Sequence, residues 1–199
     1  MNKIILAGKV YTEPEFSHGT HGKEFYKFYL QSIRTSGTPD ILPVIAEKTI
    51  LGEIKKDDYV KIIGDIRTRN VKTDENMKLE IKVLAREFVP YENKDENEAT
   101  LEGYICKNSY MRKTPRGRKI TDVIVASHRN PNAKLTTTDY IPCIFWSYAA
   151  GEVEVLPLGT FVSVHGRLQS RDYKKRLPDG TAENERRTAY EFSVSEMEE

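Results

Sequence analysis

Apolar residues fall on every second position in several stretches of the chain. Val60, Ile62, Gly64 and Ile66 alternate with polar or outward-facing positions, and Val162, Val164, Gly166 and Leu168 do the same. Leu79, Ile81 and Val83 continue the pattern, as do Tyr190, Phe192 and Val194. A period of two sets one face of a strand against a core and leaves the other in water. The glycine inside each of the first two stretches marks a bulge or a barrel corner, because glycine otherwise weakens a strand interior. Further strands are expected near Ile41 to Ala46 and Tyr140 to Trp146. Helical periodicity is slight, with one or two turns at most at Lys48 to Ile54 and Ser147 to Val153.

These stretches come in matched pairs. Leu6-x-Gly8-x-Val10 recurs as Leu101-x-Gly103-x-Ile105, Gly22-Lys23 as Gly117-Arg118, and Arg34 as Arg129. Asp40-x-x-Pro43 recurs as Asp139-x-x-Pro142, and Val60-x-Ile62-x-Gly64-x-Ile66-x-x-Arg69 as Val162-x-Val164-x-Gly166-x-Leu168-x-x-Arg171. The matches keep their order and drift apart only where loops lengthen, which is where insertions are tolerated. The chain therefore reads as two copies of one unit. Each copy offers five strands and a short helix after the third, the order of a small closed barrel of the OB type. The expected fold is all-β: two tandem five-stranded OB-fold barrels, each with at most a short helix. Residues 1–90 form the first domain and residues 99–199 the second. Residues 91–98, polar and acidic through Glu92-Asn93-Lys94-Asp95-Glu96-Asn97-Glu98, are expected to be a linker.

Composition narrows the class. The chain has 199 residues with 38% hydrophobic and 31% charged content, as expected for two globular domains of about 100 residues each. No apolar run reaches the length of a membrane helix, and Met1 to Leu6 shows no secretory pattern, so a cytoplasmic location is expected, nucleoid-associated if DNA is the ligand. Cys106 and Cys143 fit a reducing compartment, with free thiols favoured over a disulfide. The four histidines, His18, His21, His128 and His165, are scattered, so no metal and no cofactor are expected. No phosphate loop, nucleophile elbow, paired-histidine motif or carboxylate cluster is present, and catalysis is not expected. Net charge is +1, so attraction to a polyanion has to come from local patches.

Such patches lie in the second copy. Lys107, Arg112, Lys113, Arg116, Arg118 and Lys119 fill its first connection without an acid, with Tyr110 among them. Arg167, Arg171, Lys174, Lys175 and Arg176 crowd the region between its last two strands, against a single Asp172. OB folds bind oligonucleotides between these two loops, across the sheet face of the middle strands. Cationic loops pair with phosphates, and flat aromatic rings stack on bases of any identity at about 1–3 kcal/mol per base.

The order Leu-x-Gly-x-Val, a glycine-led second strand, a middle strand and Val-x-Val-x-Gly-x-Leu-x-x-Arg resembles the bacterial and phage single-stranded DNA-binding proteins. Residues 99–196 carry the resemblance most closely, and residues 2–87 share the frame. It implies base stacking at three places, which in the second copy hold Tyr140, Trp146 and Tyr173. The first copy holds Ile41, Glu47 and Val71 at those places. Its Lys27, Tyr29, Arg34 and Arg69 are expected to give weaker contacts, or the barrel serves as a structural or oligomerisation unit. In the second copy Arg129 joins the phosphate-binding set. The resemblance implies sequence-independent coating of single-stranded DNA in replication, recombination or repair. It also implies four barrels per assembly, hence a homodimer here. An alternative is a primosomal or recombination adaptor whose barrels mainly bind proteins. The chain ends at Ser195-Glu196-Met197-Glu198-Glu199 where the resemblance implies a long glycine-rich tail with an acidic tip. That departure suggests a phage or mobile-element source or a narrower task.

Overall fold

A computed structural model of the chain describes residues 1–72, 77–108, 110–129, 137–176 and 182–198. The first repeat contributes β1 (Asn2–Val10), β2 (Glu15–Thr20), β3 (Lys23–Ile33), β4 (Pro39–Glu47), helix α1 (Lys48–Leu51), β5 (Tyr59–Lys72) and β6 (Met77–Val89). Strand β1 pairs with β3 through Lys9 and Val10 and with β5 from Ile4 to Lys9. β3 pairs with β4, β4 runs parallel beside β6 at Val44↔Val83, and β6 returns on β5. The sheet thus closes on itself in the order β1-β3-β4-β6-β5.

The second repeat contributes β7 (Glu96–Asn108), β8 (Arg112–Lys113), β9 (Lys119–His128), β10 (Thr138–Trp146), helix α2 (Ser147–Val155), β11 (Phe161–Arg176) and β12 (Ala182–Glu198). It closes identically, as β7-β9-β10-β12-β11, with the parallel pair at Cys143↔Phe192. Both repeats are therefore five-stranded OB barrels. The alternating residues fill them: Leu6, Leu30, Leu42 and Ile62 in the first, Leu101, Ile141, Phe145 and Phe192 in the second are fully buried. The short strands β2 and β8, which add hairpins onto β3 and β9, lack an alternating pattern and were not expected from the sequence.

Gly64 and Gly166 sit where the register slips in β5 and β11. A Cβ on Gly64 would strike the Leu84 carbonyl oxygen, and one on Gly166 the Ser193 carbonyl oxygen. The bulge lets the last two strands of each barrel coil tightly, and only glycine leaves room for it.

The barrels share a sheet. β1 and β7 run antiparallel from Asn2↔Leu101 to Ala7↔Glu96. Residues 96–98, expected in the linker, are thus the start of β7. Their polarity has a structural use. Glu96 pairs with Lys61 at 2.7 Å. The Asn97 carboxamide accepts from Leu168 N (3.2 Å) and donates to Leu168 O (2.6 Å), extending the ladder with a side chain. Asn2 does the same to Ile66, at 2.9 and 2.7 Å.

Candidate nucleic-acid interface

Strand β10 alternates from Asp139 to Cys143, and Ile144 is then buried on the outward side as well. Ile141, Cys143 and Phe145 point into the core at 0–1% exposure, so Tyr140, Pro142 and Trp146 look outward. Tyr140 and Trp146 are six residues apart, about 20 Å at the rise of a strand. Ser193 and Glu191 of β12 follow on the same face, and their cross-strand partners Arg167 and Gln169 of β11 follow them. Arg171 and Tyr173 continue that row, with the Arg171 guanidinium 5.8 Å from the Tyr173 ring centroid. One outer face of the second barrel therefore carries all three expected stacking residues.

Trp146 is held there, not merely exposed. Its Nε1 donates to Ser193 Oγ at 3.0 Å, which fixes the indole at the strand end. Together with Arg34, Arg118, Arg167 and Arg171 it lines a groove of ≈ 580 Å³. Arg118 comes from the β8–β9 turn, which Gly117 closes at φ 79°. Glu191 on this face accepts from Gln169 Nε2 (2.8 Å) and Arg171 Nε (3.4 Å), and Asp172 also lines the groove. The buried Nε of Arg167 has no hydrogen-bond partner among the described residues. Burial, then the nearby Arg34 charge, lowers its pKa from the ordinary arginine value. A phosphate in this groove would offset the repulsion between the two cations.

A family profile described as the single-strand binding protein family matches residues 96–199, the whole of this second barrel. The chain belongs to the single-strand binding protein family. Among solved structures, it is similar to the wild-type single-stranded DNA binding protein from Thermus aquaticus. The TM-score is 0.74 at 19% identity, over 100% of this chain and 92% of that one. A deletion mutant of the same protein gives 0.75 at 19% identity, over 100% and 93%. This likeness extends the family's fold across both barrels. No curated protein sequence matches the chain.

Against this family frame, the expected residues divide. Lys107, Lys113, Arg116, Lys119 and Lys174 are exposed. Arg112 is exposed but donates through Nε (2.9 Å) and Nη2 (2.7 Å) to one carboxylate oxygen of Asp122. Tyr110 stands 90% exposed, ahead of β8. The side chains of Lys175 and Arg176 lie outside the described residues. In the first barrel Lys27 and Tyr29 face outward, as their alternation with buried Phe28 and Leu30 requires. Lys27 lies 3.8 Å from Glu15, and Arg69 binds Glu80 at 3.0 Å.

Arg34 and Arg129 also hold the structure itself together. Each is committed to a fully buried aspartate of its own barrel, Arg34 to Asp40 and Arg129 to Asp139. Each aspartate then reaches into the other barrel. Ser170 N donates to Asp40 at 2.8 Å, and Thr68 N donates to Asp139 at 2.7 Å. Ile41 N donates back to Ser170 Oγ, and Tyr140 N to Thr68 Oγ1. The motif that repeats as Arg34 with Asp40 and Arg129 with Asp139 is thus the clamp between barrels. The signal was present: opposite charges recurred at matched positions in both copies.

Proposed function

We propose that this family member binds single-stranded DNA without sequence preference, mainly through residues 99–199. Phosphates run along Arg118, Arg167 and Arg171, aided by Lys107, Lys113, Arg116, Lys119 and Lys174. Bases stack on Trp146, Tyr173 and Tyr140. The observation that carries this reading is the groove in which Trp146 lies among four arginines. Rings without cations would suit a protein core, and cations without rings would suit any polyanion. The pairing of the two suits a strand that exposes phosphates and base faces together. Coating of this kind protects strands and removes hairpins during replication, recombination or repair, and it needs no catalytic group. Two chains together would supply four barrels, and light scattering on the free protein should then return twice the chain mass.

Trp146 is the single tryptophan in the sequence, so its emission reports directly on the groove. Titration with poly(dT) should quench it, with an affinity that falls as salt rises. The Trp146→Ala variant should bind about 1–3 kcal/mol more weakly while remaining folded. An emission spectrum indifferent to poly(dT), with no salt-sensitive binding by anisotropy, would sink the proposal.

A further inference from the structure

The Trp146 groove does not end at the edge of its barrel. Its wall residues Thr38, Ser170 and Asp172 are shared with a second groove of ≈ 590 Å³ that lies on the seam between barrels. There Tyr11, Tyr29 and Ile41 of the first barrel face Ser170, Thr188 and Tyr190 of the second. A third groove, ≈ 320 Å³, shares Tyr29, Thr188 and Tyr190 and reaches Tyr173 and Lys78. These volumes fall within the roughly 300–1,000 Å³ of ordinary ligand clefts. The three grooves therefore adjoin one another from Trp146 over the seam to Tyr173.

The seam stretch is chemically unlike the Trp146 groove. The walls of its larger groove are mainly phenol rings and hydroxyls. Tyr11 and Tyr29 are 46% and 39% exposed and are set side by side, with Tyr11 N donating to Tyr29 O at 2.8 Å. Thr12 Oγ1 accepts from Tyr29 N at 3.0 Å and holds the strand against the loop. Tyr190 is half-buried beneath them. Burial and the adjacent Tyr29 hydroxyl keep its phenol protonated far above the usual range. Asp172 on this wall accepts from the Thr188 hydroxyl at 2.8 Å, and among the described residues no cation lines the larger of the two seam grooves. A groove of rings and hydroxyls beside a cationic one favours bases over phosphates.

We infer that the seam is a composite base-binding subsite in which Tyr11 and Tyr29 of the first barrel and Tyr190 of the second receive bases of a strand leaving the Trp146 groove. It rests on the DNA-binding reading above and deepens it. The first barrel has Ile41 where the resemblance implies a stacking ring, and Ile41 lies in this groove. The rings that it lacks at that position come from the adjacent strand and from the other barrel.

The test uses the full chain and two labelled oligonucleotides, about 8 and about 30 thymidines. The first fits within one barrel's site and the second spans two, at about 4–16 nucleotides per barrel. The Tyr11→Ser/Tyr29→Ser double variant should bind the longer strand about 10-fold more weakly and the shorter one unchanged. Tyr59→Ser, which removes an exposed ring outside all three grooves, should match the parent on both. Independently, an oligonucleotide of about 30 residues carrying 5-iodouracil should photocross-link the unaltered protein at peptides containing Tyr11 or Tyr29. Undiminished binding of the longer strand, equal losses at both lengths, or cross-links confined to the second barrel would each overturn the subsite. If the unaltered protein binds neither strand, the broader DNA-binding reading fails first.

Discussion

A fully buried carboxylate survives only if its oxygens are filled, and Asp139 shows how completely that is done here. Arg129 donates twice, at 2.8 and 2.9 Å, Arg67 once at 2.9 Å, and the Thr68 amide once at 2.7 Å. Burial pushes its pKa up, but Arg129, the Thr68 amide and Arg67 together outweigh burial and hold it below the usual aspartate range. Because the folded value is depressed, the ionised group stabilises the fold above about pH 4, its ordinary value. That contribution disappears as pH falls through the folded value. Asp139→Ala should therefore cost about 3 kcal/mol at neutral pH, since the arginines lose their buried partner. Urea midpoints measured between pH 6 and pH 3 should fall less steeply for the variant than for the parent. At this scale the sequence was legible in residue type but not in partner. Arg129 and Asp139 stood out, yet a cation in a nucleic-acid reading draws attention as a phosphate ligand. Its commitment to a carboxylate ten positions away depends on how β9 and β10 meet.

Strands are where the sequence spoke most clearly. Alternation in β5, β6, β11 and β12 fixed which residues face inward, because a slip of one position would bury every charge. The interior glycines pointed correctly to a bulge. Gly166→Ala should destabilise the protein by about 1–3 kcal/mol, because the new methyl meets the Ser193 carbonyl, and thermal unfolding would record the loss. The polar start of β7 was misread, since Glu96 and Asn97 look like linker residues until their hydrogen-bond partners are known. The hairpin of β11 and β12 carries a separate expectation. Arg171→Gln with Lys174→Gln should lower the slope of log affinity against log salt by about 0.7 for each phosphate left without its cation. A slope unchanged from the parent would place those side chains off the strand's path.

The whole molecule was foreshadowed by its internal repeat, which announced two barrels, but not by how they join. Pairing of β1 with β7 and the two aspartate clamps make each barrel part of the other's structure. Unfolding should therefore be a single transition: the midpoint from Trp146 emission in the second barrel should coincide with the midpoint for exchange of β3 amides in the first. The clamps are near-symmetric, whereas the aromatic residues are not. A pair of identical subunits related by a two-fold axis presents the same face to a strand entered from either end. Here the tie between unlike halves breaks that equivalence once per chain. A strand that follows the adjoining grooves would meet indole in one and phenols in the next, so its 5′ and 3′ ends would be distinguishable and the protein would lie on DNA with a direction.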